Sequence, residues 1–208
     1  MSSTSSRSID TVRLIAITGG IGSGKSVVAH MVQVMGYEVY DCDTRAKQLM
    51  TGDAEVKRLL VEAFGHEIYL NDGSINRQHL SAVAFADSEA LSRLNAIVHP
   101  ATARDLQRWA GEQSARGAAV AFVETALLRT ASLDRVVDDV WHITAPDEVR
   151  IQRVMARNGF SREQVQARIA SQSPFIYTIT IITFSHISRT IHRNFTKSCI
   201  TYTCFIMT

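Results

Sequence analysis

Cysteine and proline are scarce in this chain, with three of each in 208 residues. Three scattered cysteines cannot build a disulfide framework, and no Cys-x-x-Cys pair suggests zinc; a reducing, cytoplasmic setting is the expectation. No apolar run approaches the roughly 20 residues that a spanning helix needs, so no membrane segment is expected. No charge of one sign dominates: the formal net charge is +2, too small to argue for a nucleic-acid partner. No internal repeat is visible. Residues 1–10 are rich in Ser and Thr and hold no apolar stretch, which excludes a secretory leader and reads as a disordered tail over 1–11. With 46% hydrophobic and 20% charged residues, the remainder can bury a core.

The most informative absence is local. Residues 175–208 contain no Asp, Glu, Gly, Ala or Leu, yet hold eight Ile and eight Thr. Residues 1–174 carry 19 basic and 20 acidic side chains, and the tail adds three basic ones. Two readings stand for this atypical tail: a non-native extension, such as a shifted reading frame, or a divergent fifth strand over 175–184.

What is present alternates between strand and helix. Short β-prone runs over 12–18, 38–40, 118–124 and 139–144 alternate with helical patterns over 26–35, 46–50, 54–64, 77–85, 88–113, 147–157 and 161–171. Asn71-Asp72-Gly73 signals a turn, and Asn76, Ser88 and Ser161 are candidate helix caps. His99-Pro100 predicts a break or bend in the long helix. This order predicts an α/β fold, a doubly wound parallel sheet covered on both faces. A helical insertion over about 46–111 would stand at its carboxyl edge.

One motif carries chemistry. Gly19-Gly20-Ile21-Gly22-Ser23-Gly24-Lys25-Ser26 matches G-x-x-x-x-G-K-[ST] in full, with a strand before it and a helix after it. Glycines let several backbone N–H groups surround a phosphate, and the following helix points its positive end at the same anion. Gly20, Gly22, Ser23, Gly24, Lys25, Ser26 and Val27 are thus candidate nucleotide-binding residues. Lys25 would neutralise phosphate oxygens and Ser26 would ligate Mg²⁺.

Asp41 and Asp43 follow the second strand. In extended geometry two residues apart project the same way, so one could act as base and the other help hold Mg²⁺; the alternative is that either caps the next helix. Spacing does not say which is the base. Glu124 ends the third strand, where nucleotide-binding sheets often place a carboxylate, although a cap is equally compatible. Arg150, Arg153 and Arg157 share a helix face, either a cationic wall near the nucleotide or a solvated surface. His99 alone reads as a structural histidine.

These segments resemble the dephospho-coenzyme A kinase family over about 12–173. The resemblance is carried by 14–26, by Gly36 through Asp41-Cys42-Asp43 and Ala46, and by Arg77-x-x-Leu80 with Phe85. It continues through Leu94-Asn95-x-Ile97-x-His99-Pro100, 124–128, and Arg150-x-x-Arg153-x-x-x-Arg157 followed by 161–165, Arg168 and Gln172. It implies a P-loop NTPase-like kinase domain over 12–174, a coenzyme A-binding insertion and a helical lid over about 147–172. The implied reaction is ATP-dependent phosphorylation of the ribose 3′-hydroxyl of dephospho-coenzyme A. By the same resemblance Asp43 is the general base, Lys25 the phosphate clamp and Arg153 the lid cation. Arg157 would bind nucleotide, Asp41 would support Mg²⁺ and substrate orientation, and Arg77 and His99 would face substrate. Two departures stand out: Arg129-Thr130 replace an aromatic and a Glu, and the family's ending beyond residue 174 is absent. The rival readings are another small-molecule or nucleoside monophosphate kinase and a catalytically impaired ATP-binding module. No Asn-Lys-x-Asp segment supports a GTPase switch.

Overall fold

The computed structural model describes residues 12–86, 88–126, 128, 133–172 and the backbone of 180–182, with the side chains of 84–86 excepted. The readings made for 1–11, for Arg129-Thr130 and for the rest of the tail lie outside these residues.

Among the described residues, five parallel strands form one sheet in the order β2-β3-β1-β4-β5. They are β1 (Arg13–Thr18), β2 (Val39–Asp41), β3 (Val120–Glu124), β4 (Asp139–Ile143) and β5 (Thr180–Ile182). Successive side chains of a strand leave opposite faces. Ile15 and Ile17 of β1 pack with Phe122, Trp141 and Ile143 against Val28, Ala29 and Val32 of α1 (Lys25–Val34). Ala16 packs on the other face with Tyr40, Val123 and Leu106. Burial on both faces explains why β1 reads as a near-continuous apolar run. Strand β5 falls inside the β-prone stretch of the tail and pairs Ile181 with His142 of β4.

Among the described residues four α-helices lie between β2 and β3: α2 (Cys42–Gly52), α3 (Ala54–Phe64), α4 (Arg77–Ala86) and α5 (Ser88–Ala115), with a short 3-10 turn at His66–Ile68. The insertion therefore begins at Cys42, earlier than the pattern near Ala46 indicates. Asp53 joins α2 to α3: its N–H closes the end of α2 on the Leu49 carbonyl, and its carboxylate accepts from Val56 N–H at 2.9 Å. Asn76 caps α4 by accepting from His79 N–H. The turn at 71–73 forms, with Gly73 at φ 79°. Helix α5 runs through Pro100 without a break, in keeping with the pattern that continues to about residue 113. Tertiary packing keeps the helix going: Val98 and Ala101 enter a core with Met50, Val56, Leu60 and Ile68, and Leu106 of the same helix lies under the sheet. Helix α5 thereby holds the insertion on the sheet. After β4 come α6 (Asp147–Asn158) and α7 (Arg162–Ala170), the latter opened by a Ser161–Gln164 capping box.

Asp105 on α5 is buried among donors. It accepts from Tyr40 Oη at 2.7 Å, from Arg45 Nε at 2.8 Å and from Arg108. Burial alone would raise its pKa, but hydrogen bonds from Tyr40, Arg108 and Arg45 outweigh it and hold the carboxylate below its usual range. Asp105→Ala takes from the buried Tyr40 hydroxyl its shorter partner, leaving only the 3.3 Å contact with the Thr102 carbonyl, and strips Arg45 of its carboxylate; it should cost about 1–3 kcal/mol. The expected readout is a lower urea midpoint at unchanged m-value. Arg108→Ala, whose side chain is 67% exposed, should move the midpoint much less.

Candidate active site

The carboxyl edge of β1, β2 and β3 gathers the chemistry-bearing residues, as expected of an open parallel sheet. Register places Glu124 beside both Ile17 of β1 and Asp41 of β2. The glycine-rich loop at 19–24 leaves β1 and turns into α1. Ser23 N–H donates to the Gly20 carbonyl at 3.1 Å, and Val27 and Val28 N–H to the Gly24 carbonyl at 3.0 and 3.2 Å. Gly22 and Gly24 have φ of 74° and 99°, which side chains disfavour. A Cβ on Gly22 would also stand 2.7 Å from the Arg150 carbonyl oxygen, so the loop backbone is seated directly on α6.

Helix α1 begins with no side-chain cap and no acid in its first turn. Its first residue, Lys25, is half-buried and its ammonium has no hydrogen-bond or ion-pair partner among the described residues. An unneutralised cation at an uncapped helix N-terminus is a site for an anion. Ser26 Oγ donates to Glu124 Oε1 at 2.6 Å, which puts a hydroxyl and a carboxylate together beside the loop.

Asp41 and Asp43 do not project side by side from an extended strand, because α2 starts at Cys42 and takes Asp43 into its first turn. Asp41 is the N-cap: its carboxylate accepts from Asp43 N–H at 3.0 Å, from Thr44 N–H at 3.2 Å and from Thr44 Oγ1 at 2.6 Å. Both of its oxygens are thus engaged, one on the two N–H groups and the other on the hydroxyl. Asp43 is exposed, and its carboxylate accepts no hydrogen bond among the described residues. Between them Cys42 is buried. Burial, chiefly, and the nearby carboxylates of Asp43, Asp41 and Glu124 push its thiol up to about 12, against the opposing effect of a hydrogen bond with Thr125. Cys42 is therefore neutral near pH 7 and adds no charge between the acids.

On α6, Arg153 Nη1 lies 3.4 Å from the carbonyl oxygens of both Gly22 and Ser23. Arg157 is exposed one turn further on and bonds its neighbour Asn158 at 2.9 Å. Arg150 makes the firmest contact with the loop, Nε to the Ile21 carbonyl at 2.9 Å. Arg77 is exposed at the start of α4, and His99 is half-buried within α5, both on the helical insertion. Glu124, Arg150 and Gln172 join the site although the motif alone does not select them. For Glu124 the available signal is its place at a strand end.

Serine and carboxylate oxygens are hard donors suited to Mg²⁺. Among the described residues no three His, Cys, Asp or Glu side chains group as a metal site. A cation at Ser26 and Glu124 would thus have few protein ligands, the usual arrangement for Mg²⁺ shared with phosphate oxygens and water. No helix among the described residues is long and apolar enough to cross a membrane.

Residues 13–176 match a family profile described as Dephospho-CoA kinase, and the match ends two residues past the composition break. A dephospho-CoA kinase of Geobacter sulfurreducens is 41% identical over 164 residues, covering 78% of this chain and 83% of that one. One from Carboxydothermus hydrogenoformans is 35% identical over 161 residues, covering 77% and 78%. The solved structure of TT1252 from Thermus thermophilus has 38% identity and a TM-score of 0.63, covering 79% of this chain and 82% of its own.

Proposed function

The chain belongs to the dephospho-CoA kinase family, and we propose that the residues gathered at the sheet edge transfer the γ-phosphoryl of ATP to the ribose 3′-hydroxyl of dephospho-CoA. It is an ATP-dependent kinase acting on dephospho-CoA. The observation that supports this assignment of the site is Lys25: a half-buried residue at an uncapped helix start, its ammonium without a partner among the described residues, beside the Ser26–Glu124 contact.

Phosphoryl transfer needs in-line positioning and charge neutralisation more than covalent chemistry. The amides of the loop and α1 bind the phosphates of ATP, with Lys25 on the β and γ oxygens. Arg153, already against the loop, turns its guanidinium to the transferring group. Asp43 accepts the proton of the 3′-hydroxyl. Asp41 sets the start of α2 and so the placement of Asp43. Ser26 and Glu124 would hold Mg²⁺, which supplies neutralisation of phosphate charge. Asp41 stands next to Glu124 but has its oxygens engaged by the cap, so Glu124 is the better carboxylate for that role.

An ADP-release assay tests the reading. Turnover should appear with dephospho-CoA and be absent with nucleoside monophosphates; equal turnover with a monophosphate would overturn it. Arg77→Ala and His99→Ala should each raise KM for dephospho-CoA by about tenfold, the scale of one charge-assisted hydrogen bond, and leave KM for ATP nearly unchanged. Equal effects on both substrates would remove the insertion from the acceptor site.

A further inference from the structure

Ile21, in the middle of the phosphate loop, is held from three directions by the α6–α7 hairpin. Its carbonyl accepts from Arg150 Nε at 2.9 Å, and its N–H donates to Gln172 Oε1 at 3.2 Å. Its side chain packs on the hairpin's own core of Ile151, Val154 and Val165. The two polar partners are also tied together, since Arg150 Nη2 donates to the same Gln172 oxygen at 2.8 Å. Arg150 Nη1 bonds Asp147 at 2.8 Å, and the side chain is only 14% exposed. Gln172 is fixed at the end of α7 by its backbone N–H on the Ile169 carbonyl.

Chemistry settles the orientation of the carboxamide. Two N–H donors converge on one atom, and only the oxygen of Gln172 can accept from both. Arg150 is likewise specific, because its bonds leave three different nitrogens of one plane, a spread that the single nitrogen of an ammonium cannot span. The clamp also explains Gly20, whose φ imposes no need for glycine. A Cβ there would stand 2.4 Å from Arg150 Nη2 and 2.5 Å from Gln172 Oε1, so the missing side chain leaves room for the two clamp residues.

We infer that Arg150 and Gln172 are positioning residues that clamp the Ile21 peptide and join the phosphate loop to the α6–α7 hairpin before nucleotide arrives. Neither touches the reacting atoms. Ordering the loop in advance removes that entropy from the cost of binding. Because Arg153 lies on the same helix as Arg150, the clamp also fixes the loop relative to the cation that serves the transferring phosphoryl. The inference rests on the kinase reading only in naming ATP as the nucleotide.

Two readouts separate the clamp from that reading. The first is amide hydrogen exchange at Ile21 in the nucleotide-free protein. Gln172→Leu keeps the bulk but removes the acceptor, and should speed exchange at Ile21 by about tenfold, with the core amides of β1 unchanged. Gln172→Glu keeps an acceptor oxygen and should retain the protection. The second readout is ATP affinity by titration calorimetry and the KM for each substrate. Gln172→Leu and Arg150→Ala should each weaken ATP by about three- to tenfold and leave KM for dephospho-CoA unchanged. The double variant should lose much less than the product of the two, since both act on one peptide. Unchanged Ile21 exchange in Gln172→Leu overturns the clamp, as does tighter ATP binding or fully multiplicative losses. Clamp-dependent exchange in a protein that fails to bind ATP would instead overturn the kinase reading and leave the clamp standing.

Discussion

Lys25→Ala is expected to lower kcat/KM by at least roughly 10²–10³-fold, the scale of removing one preorganised charge stabiliser from a phosphoryl or acyl transfer site. The effect should appear in kcat as well as in KM for ATP, because negative charge on the β–γ oxygens grows towards the transition state. The geometry also predicts what will not change. Lys25 has no protein partner among the described residues, so its removal leaves no group orphaned and relieves a cation at the positive end of α1. Its Tm should therefore equal or slightly exceed that of the parent. Undiminished turnover would remove the glycine-rich loop from catalysis. Lost activity with a lowered Tm would point to a folding defect.

The sheet and the phosphate loop were legible in the sequence because both depend on local signals. Alternating apolar strands and a G-x-x-x-x-G-K-S run need no knowledge of distant contacts, and four strands and the α1 start fall where the pattern puts them. Asp41 and Asp43 were legible as a pair but not in their geometry. Whether a residue after a strand continues extended or starts a helix depends on the cap, and Asp41 starts the helix one residue earlier than the side-by-side reading requires. Pro100 left a break or a bend open from propensity alone, and the helix continues through it with Val98, Ala101 and Leu106 packed on two cores. The Ser26–Glu124 contact joins residues 98 apart, and the Arg150–Ile21 contact residues 129 apart. Such pairings are set by strand register and by the seating of α6 on the loop, which no local spacing encodes. The tail shows the opposite limit. Its composition break was plain, yet β5 forms at Thr180–Ile182, where β-branched residues can add to the exposed edge of β4 whatever their origin.

Asp43→Asn should lower kcat by about 10²–10⁴-fold while changing ATP affinity little, the range for loss of a positioned general base. Asp41 is the contrasting acid. Both are acids at the start of α2, but Asp41 is consumed by backbone and hydroxyl donors, whereas Asp43 is exposed and accepts nothing among the described residues. A carboxylate offers about four acceptor sites; three of those on Asp41 are occupied, whereas all of those on Asp43 are open to an incoming hydroxyl. Asparagine is as good an N-cap as aspartate, so Asp41→Asn should preserve stability and cost turnover less than about tenfold. Asp41→Ala removes the cap and should cost about 1 kcal/mol of stability, with activity falling as α2 frays and Asp43 loses its position. Buried Cys42 keeps the comparison clean, since with its thiol pushed up to about 12 it stays neutral across the working range and cannot substitute as a base. Steady-state kinetics of the three variants beside urea unfolding would decide it. A large kcat loss in Asp41→Asn with Asp43→Asn near parent activity would make Asp41 the base, and would require its cap to break when substrate binds.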